Sequence, residues 1–214
     1  MEGKLNVILD LDNTLLCAVP FDYISSSTYK IYSEKLKYID FYFEEKPLYR
    51  IYLRPYLEDF LDYLFDEFNV SVFTNAEKDY ADFVVKNIIF GKSTQHRKLD
   101  FVFYRYHSNI AMQNYGKMKD LRLIWEMAHI YYFFPSNTVI IDDLYLVKNS
   151  NYYNCLAIKP FELFNSIPEE ILKDNSLMNV SKKLFLLKKK FETDNNKDIN
   201  LPILQTDTEI NKIY

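Results

Sequence analysis

The chain alternates short unbroken apolar runs with longer stretches in which apolar residues recur every three or four positions. Residues 5–9 are apolar except for Asn6, show no period of two, and run straight into Asp10 and Asp12. That predicts a strand covered on both faces, as in a parallel sheet. Residues 70–73, ending at Thr74, and residues 138–141, ending at Asp142 and Asp143, have the same character, and residues 101–104 read as a shorter strand. Between them Pro55 marks a helix start, and Leu57, Phe60, Leu61, Leu64 and Phe68 form one apolar stripe. Helices are also predicted over residues 80–89, 120–132 and 175–192, the last rich in lysine.

Residues 16–50 break this rhythm. They are irregular, with Ser25, Ser26 and Ser27 in a row and scattered tyrosines, and a strand pair near residues 39–43 and 49–53 stands out. This is an insertion and not a domain. Strands separated by helices require right-handed crossovers between parallel neighbours, so the first, second and fourth strands end at one edge of the sheet, where ligands of such folds bind. The predicted architecture is α/β: a central parallel sheet flanked by helices in one domain over residues 1–192, with residues 193–214 as a polar tail or arm.

Composition narrows the class. With 26% charged residues and few Gly or Pro, the 214-residue chain is expected to be globular. A net charge of -4 argues against a protein that coats nucleic acid, which needs a basic footprint, so no nucleic-acid partner is expected. Cys17 and Cys155 form no CxxC, and His96, His107 and His129 share no ligand spacing. Neither a disulfide framework nor a zinc site is expected, and the histidines read as structural or exposed. The apolar run near the start is too short for a signal peptide or a spanning helix, which predicts a soluble intracellular protein, nuclear or cytoplasmic, with no membrane partner. The 19 Tyr and 17 Phe suit core and groove aromatics. The same bias follows from an AT-rich genome, such as that of a large DNA virus or a protist.

The strand ends carry the candidate chemistry. Asp10 and Asp12, with Thr14 beyond them, can converge on one phosphate-sized point. A carboxylate beside a cation can attack phosphorus and split a hard hydrolysis into two easier steps, which suits Asp10. Asp12 would then protonate the leaving alkoxide and later take a proton from water. Thr74 offers a hydroxyl, and Asn75 and its successors offer N–H groups, to a phosphoryl oxygen; a lone Thr is more often a cap, and only the place of Thr74 opposite Asp10 reverses that. Lys119, or its neighbour Lys117, would neutralise charge on a transferring phosphoryl group. Asp142 and Asp143, with Asp10 and the backbone near Asp12, would form an oxygen site for Mg2+, because acids gathered in a shielded pocket repel unless a divalent cation lies among them.

In order, DLDNTLL, LRPYLEDFLDYL, VFTNAEKDYAD, YGKMKDLRLI and VIIDDLYLVKNS resemble the FCP/SCP group of haloacid-dehalogenase-like phosphatases over residues 5–161. That NLI-interacting-factor-like group acts on the C-terminal repeat domain of RNA polymerase II and on related phosphoserine proteins. The first motif is shared by the whole superfamily; the RP-helix segment, the VFTNAEKDYAD stretch and the KDL lysine are more specific. The resemblance implies a Rossmann-like fold with a short strand insertion after the first motif and no large cap domain. It implies Asp10 as nucleophile, Asp12 as general acid and base, Thr14 as supporting hydroxyl, Thr74 and Lys119 as phosphate ligands, and Asp142 with Asp143 as a metal pair. The chain departs from the small members in carrying Asp142-Asp143 in place of DNSP, and it diverges where they set an arginine for a second phosphate, leaving Arg105 for that role.

The expected function is a Mg2+-dependent protein serine/threonine phosphatase working through an aspartyl-phosphate. Its expected substrate is a phosphopeptide such as the RNA polymerase II repeat, laid in an aromatic groove of Tyr23, Tyr29 and Tyr52 with Arg105. Two alternatives stay open: a pseudophosphatase that holds a partner, and a phosphatase of nucleic-acid ends or of a small metabolite. The retained acids and Lys119 weigh against the first. The acidic balance and the missing cap weigh against the second.

Overall fold

The computed structural model describes residues 4–91, 96–128, 130–164, 166–193 and Ile199. The chain opens with β1 (Asn6–Leu9) and enters an insertion made of β2 (Leu16–Pro20), α1 (Ser27–Lys35), β3 (Tyr38–Phe43) and β4 (Lys46–Leu53). It continues through α2 (Leu57–Glu67), β5 (Asn69–Phe73), α3 (Lys78–Val84), β6 (Leu99–Phe103) and α4 (Arg105–Tyr115). The last elements are β7 (Thr138–Asp142), α5 (Tyr145–Ser150), β8 (Cys155–Ala157), α6 (Pro168–Leu172) and α7 (Ser176–Thr193). A five-stranded parallel sheet runs in the order β6-β5-β1-β7-β8, and the insertion forms a separate antiparallel sheet in the order β2-β4-β3.

Both faces of the parallel sheet are covered, which is why its strands read as unbroken apolar runs. Val7 and Leu9, Val70 and Val72, and Val139 and Ile141 face one core with α2 and α7. Ile8, Phe73 and Ile140 face the other, against Ala111, Leu121, Leu123 and Ile124. The stripe on α2 is buried at Leu57, Phe60, Leu61 and Leu64. Each such side chain contributes roughly 2 kcal/mol by leaving water.

Three expectations need correction. Residues 16–50 are not mostly irregular: β2 pairs with β4, and α1 buries Tyr29 and Tyr32. The partner of β2 lies far along the chain, so no local pattern announces the pairing. The segment after Gly116 does not form a helix over residues 120–132; among the described residues it makes a single wide π turn, Leu123–Met127, closed by the Ala128 amide on the Leu123 carbonyl at 2.8 Å. Its start is capped from outside, the Leu121 and Arg122 amides going to the side chains of Asn151 and Asp120, each at 3.0 Å. Finally, α4 went unpredicted. It buries only Ser108 and Ala111 and so has no apolar stripe, and it stops at Gly116, whose φ of 69° suits glycine.

No helix among the described residues is long and apolar enough to cross a membrane. The tail predicted over residues 193–214 lies outside the described residues except for Thr193 and Ile199, as does His129. His107 is structural: its ring stacks on Phe103 at 4.2 Å, and Nδ1 accepts the Tyr104 amide at 3.2 Å.

Candidate active site

Because β5, β1 and β7 are neighbours in register, with Leu9 paired to both Val72 and Ile141, Asp10, Thr74 and Asp142 emerge side by side at the carboxyl edge. The Asp10 amide donates to the Ile141 carbonyl at 3.0 Å, extending the ladder to Asp10 itself. The chain then turns sharply, with Asn13 at φ 59° and the Leu15 amide bonded back to the Leu11 carbonyl at 2.8 Å. This turn sets Thr14 over the acids. Its hydroxyl is 3.3 Å from Asp10 Oδ2 and 3.2 Å from Asp143 Oδ1 and can donate to either.

Lys119 enters from the connection between α4 and β7. Its Nζ is 2.5 Å from Asp10 Oδ1 and 2.8 Å from Asp142 Oδ2, and the residue is 1% exposed, whereas Lys117 lies on the surface. Burial opposes its charge, but Asp10 and Asp142 more than offset that and hold its pKa above the ordinary lysine value. Asp10, Asp142 and Asp143 each offer a carboxylate oxygen within 4.8 Å of the others. Burial, followed by the charge of Asp10, pushes Asp142 up to about 7 and Asp143 up to about 6. Three crowded carboxylates, with no sulfur or imidazole in the group, make an oxygen donor set suited to a hard divalent cation. The Asp12 carboxylate is not part of that group, which leaves its backbone carbonyl as the expected contribution.

The Asp12 carboxylate is instead held by Tyr80, whose hydroxyl donates to Oδ1 at 2.7 Å. Burial raises the Asp12 pKa to about 6, with the Tyr80 bond pulling it down and Asp10 pushing it up. An acid in that range can both give and take a proton near neutrality. Tyr80 is absent from the residues singled out for chemistry from the sequence, although it lies in the VFTNAEKDYAD stretch.

Thr74 is buried, with its amide on the Phe103 carbonyl at 2.9 Å and its hydroxyl accepting the Ala76 amide at 3.1 Å. The hydroxyl thus organises the turn that carries Asn75. The Asn75 carbonyl accepts Arg105 Nε at 2.9 Å, and Arg105 Nη1 reaches Glu77 at 2.6 Å.

The expected tyrosine groove is corrected by the register of β4. Tyr52 is fully buried, with its hydroxyl 2.8 Å from Ser33 Oγ, and Tyr29 is buried beside it in the insertion's own core. Tyr23 is exposed but does not line the cleft beside Asp12. Side chains alternate along a strand, so Tyr49 and Ile51 face the catalytic body while Arg50 and Tyr52 face α1. The cleft, about 620 Å³, runs from Asp12 between Phe41, Phe43, Leu48 and Tyr49 on one side and Glu77, Tyr80 and Arg105 on the other. Arg105 lines this cleft and not a groove with Tyr23, Tyr29 and Tyr52. Phe41 and Tyr49 could be found only with the strand register in hand.

Arg54, of the RP segment, is 1% exposed and clamps the Asp10 turn from behind. Its Nη1 donates to the Thr14 carbonyl and its Nη2 to the Lys159 carbonyl, each at 2.8 Å, while Asp174 takes Nε at 2.9 Å and Nη2 at 3.0 Å.

The chain resembles known proteins over most of its length. The profile of a family described as NLI interacting factor-like phosphatase matches residues 5–196. A protein of Invertebrate iridescent virus 6 named "Putative CTD phosphatase-like protein 355R" is 38% identical over 180 residues, covering 81% of this chain and 97% of the relative. Its counterpart in Invertebrate iridescent virus 3 is 34% identical over 188 residues, covering 85% and 95%. Among solved structures, Fcp1, titled an essential RNA polymerase II CTD phosphatase, superposes with a TM-score of 0.67 at 20% identity, covering 94% of this chain and 69% of that one. Fission yeast Fcp1 bound to beryllium fluoride gives the same TM-score at 18% identity, covering 94% and 70%.

Proposed function

The chain belongs to the NLI interacting factor-like phosphatase family, and from that premise we propose that it hydrolyses phosphoserine or phosphothreonine in proteins, with Mg2+, through an aspartyl-phosphate on Asp10. The observation that carries this reading is the meeting of Asp10, Asp142, Asp143, Thr14 and Lys119 at one strand edge, with Asp12 held apart by Tyr80. Asp10, Asp142 and Asp143 would hold the ion, which when bound supplies positive charge against the three carboxylates and the phosphoryl oxygens.

A carboxylate oxygen of Asp10 attacks phosphorus as the bond to the serine oxygen breaks, and Asp12 gives its proton to that oxygen. Lys119 follows the phosphoryl charge, and Thr14 steadies Asp10. Water then attacks phosphorus, Asp12 takes its proton, and phosphate leaves with Asp10 restored. Thr74 and the Asn75 amide serve as further phosphate ligands. The open cleft beside Asp12 suits an extended peptide, with an apolar wall for the residues flanking the phosphate. A phosphoserine repeat peptide of the RNA polymerase II type is the candidate substrate, since the structurally similar Fcp1 is titled a phosphatase of that domain.

The test is turnover of p-nitrophenyl phosphate and of a phosphoserine repeat peptide, with and without Mg2+, in the wild type and in Asp10→Asn. Both substrates should be hydrolysed in a Mg2+-dependent way, and Asp10→Asn should be inactive on both. Residual activity in Asp10→Asn sinks the nucleophile assignment, and an untouched peptide sinks the protein substrate.

A further inference from the structure

We propose that Asn151 is a positioning residue for Lys119, fixing the cation of the phosphoryl site between its acids; this rests on the reading of Lys119 as the phosphate-binding lysine. Lys119 has a φ of 48°, in the left-handed region that residues with a side chain adopt only when their surroundings hold them there. The carboxamide of Asn151 supplies the hold. Its Nδ2 donates to the Lys119 carbonyl at 3.0 Å, and its Oδ1 accepts the Leu121 amide at 3.0 Å, so one side chain brackets the turn on both sides.

Asn151 is itself fixed. It is 6% exposed, at the end of α5, where its amide donates to the Val147 carbonyl at 3.0 Å and its carbonyl accepts the Asn154 and Cys155 amides at 2.8 Å. Its Nδ2 also reaches the Val147 carbonyl at 3.1 Å. The same short helix begins directly after Asp142 and Asp143, and the Leu144 amide donates to Asp142 Oδ1 at 2.9 Å. The short stretch 142–151 therefore has the acid pair at one end and Asn151 at the other, joined through α5, and the carboxamide ties that stretch to the Lys119 turn.

The chemistry is particular to an amide. One group must donate to a carbonyl and accept from an N–H a short way further along; an aspartate lacks the donor and an alanine lacks both. Lysine has a long flexible stem, so a Lys119 whose backbone could drift would leave its ammonium poorly placed for a phosphoryl oxygen.

The wild type, Asn151→Ala, Lys119→Ala and the double variant decide the matter, each checked for fold by circular dichroism. Asn151→Ala should raise KM for p-nitrophenyl phosphate and Kd for inorganic phosphate, both with Mg2+ present, about tenfold with a smaller change in kcat. A lesion that merely unfolds part of the sample lowers kcat and leaves KM unchanged. In the Lys119→Ala background the same substitution should change Kd for phosphate by less than about twofold, because the residue it positions is gone. Equal effects in the two backgrounds overturn the role of Asn151 while leaving that of Lys119 standing. A phosphate Kd unmoved by Lys119→Ala overturns the reading of Lys119 itself. Should Asn151→Ala not fold, Asn151→Asp, which keeps the acceptor for Leu121 and loses the donor to Lys119, is judged by the same comparison.

Discussion

The Tyr80 hydroxyl donates to Asp12 Oδ1 across 2.7 Å, and this bond fixes where the acid of the site points. Tyr80 sits on α3 and is itself gripped edge-on by Phe41 at 5.4 Å and Tyr49 at 6.1 Å, so the cleft and the Asp12 carboxyl share one support. Tyr80→Phe keeps the ring and removes the bond. It should lower kcat/KM about tenfold for a phosphoserine peptide, whose alkoxide needs a proton as it leaves. For p-nitrophenyl phosphate, whose leaving group needs none, the loss should be smaller. Equal losses on the two substrates would count against Asp12 as the proton donor.

Removal of the divalent ion should be visible without any assay of turnover. Three carboxylates crowded within 4.8 Å repel one another, and Lys119 faces two of them. Saturation with Mg2+ at about a hundredfold excess over Kd should stabilise the fold by about 2.7 kcal/mol, a rise in Tm of roughly 5–10 °C for a chain of this size. Asp143→Asn should shrink that rise. A Tm that ignores both EDTA and Mg2+ would remove the metal from the site.

The cleft makes a prediction about selectivity. Tyr49 and Phe43 line it and are partly exposed, whereas Tyr52 is inside the insertion. Tyr49→Ala should raise KM for the phosphopeptide about tenfold, the size of effect that loss of an aromatic contact has at an interface, and raise it by a smaller factor for the aryl ester. Tyr52→Ala should lower Tm and leave the ratio of the two substrates as it was. Steady-state kinetics on both substrates separates the two outcomes.

Arg54 and Asp174 predict an acid-sensitive clamp. Burial raises the Asp174 pKa, but the bond and charge of Arg54 and the bonds from Ser176 outweigh it and hold the carboxyl below its ordinary 3.8. A carboxyl depressed in this way adds stability that is full above the unfolded value and is lost as pH falls through the folded one. Asp174→Asn leaves Arg54 buried without its counter-charge and should cost about 3 kcal/mol at neutral pH. The gap in Tm between wild type and variant should narrow as pH drops below about 4, where the wild type loses the same charge. A gap that stays constant down to low pH would show that the pair contributes nothing through its charge.

The sheet was legible because a strand covered on both faces has no choice of composition. Residues 5–9, 70–73 and 138–141 must be apolar whatever lies around them, and their ends must be polar if a ligand binds there. Asp10, Asp142 and Asp143 followed from those ends, and Lys119 from its resemblance to a known motif. Residue type alone could not choose between Lys117 and Lys119; burial does, because only one of them turns into the acids. The alternation of β4, with Tyr49 toward the cleft and Tyr52 away from it, depends on β4 pairing with β2 and β3, which no local pattern reports.

By itself the sequence determined the parallel sheet, the helix over Leu57–Glu67 and the acids at the strand ends, because local periodicity and composition encode which face of an element is dry. The tertiary structure decided which tyrosines line the cleft beside Asp12, that Tyr80 holds Asp12, and that Asn151 brackets the Lys119 turn. Each of these joins residues far apart in the chain through one or two hydrogen bonds or a strand register. Such pairings are set by the packing of whole elements against one another, and they leave no periodic trace in the order of residues.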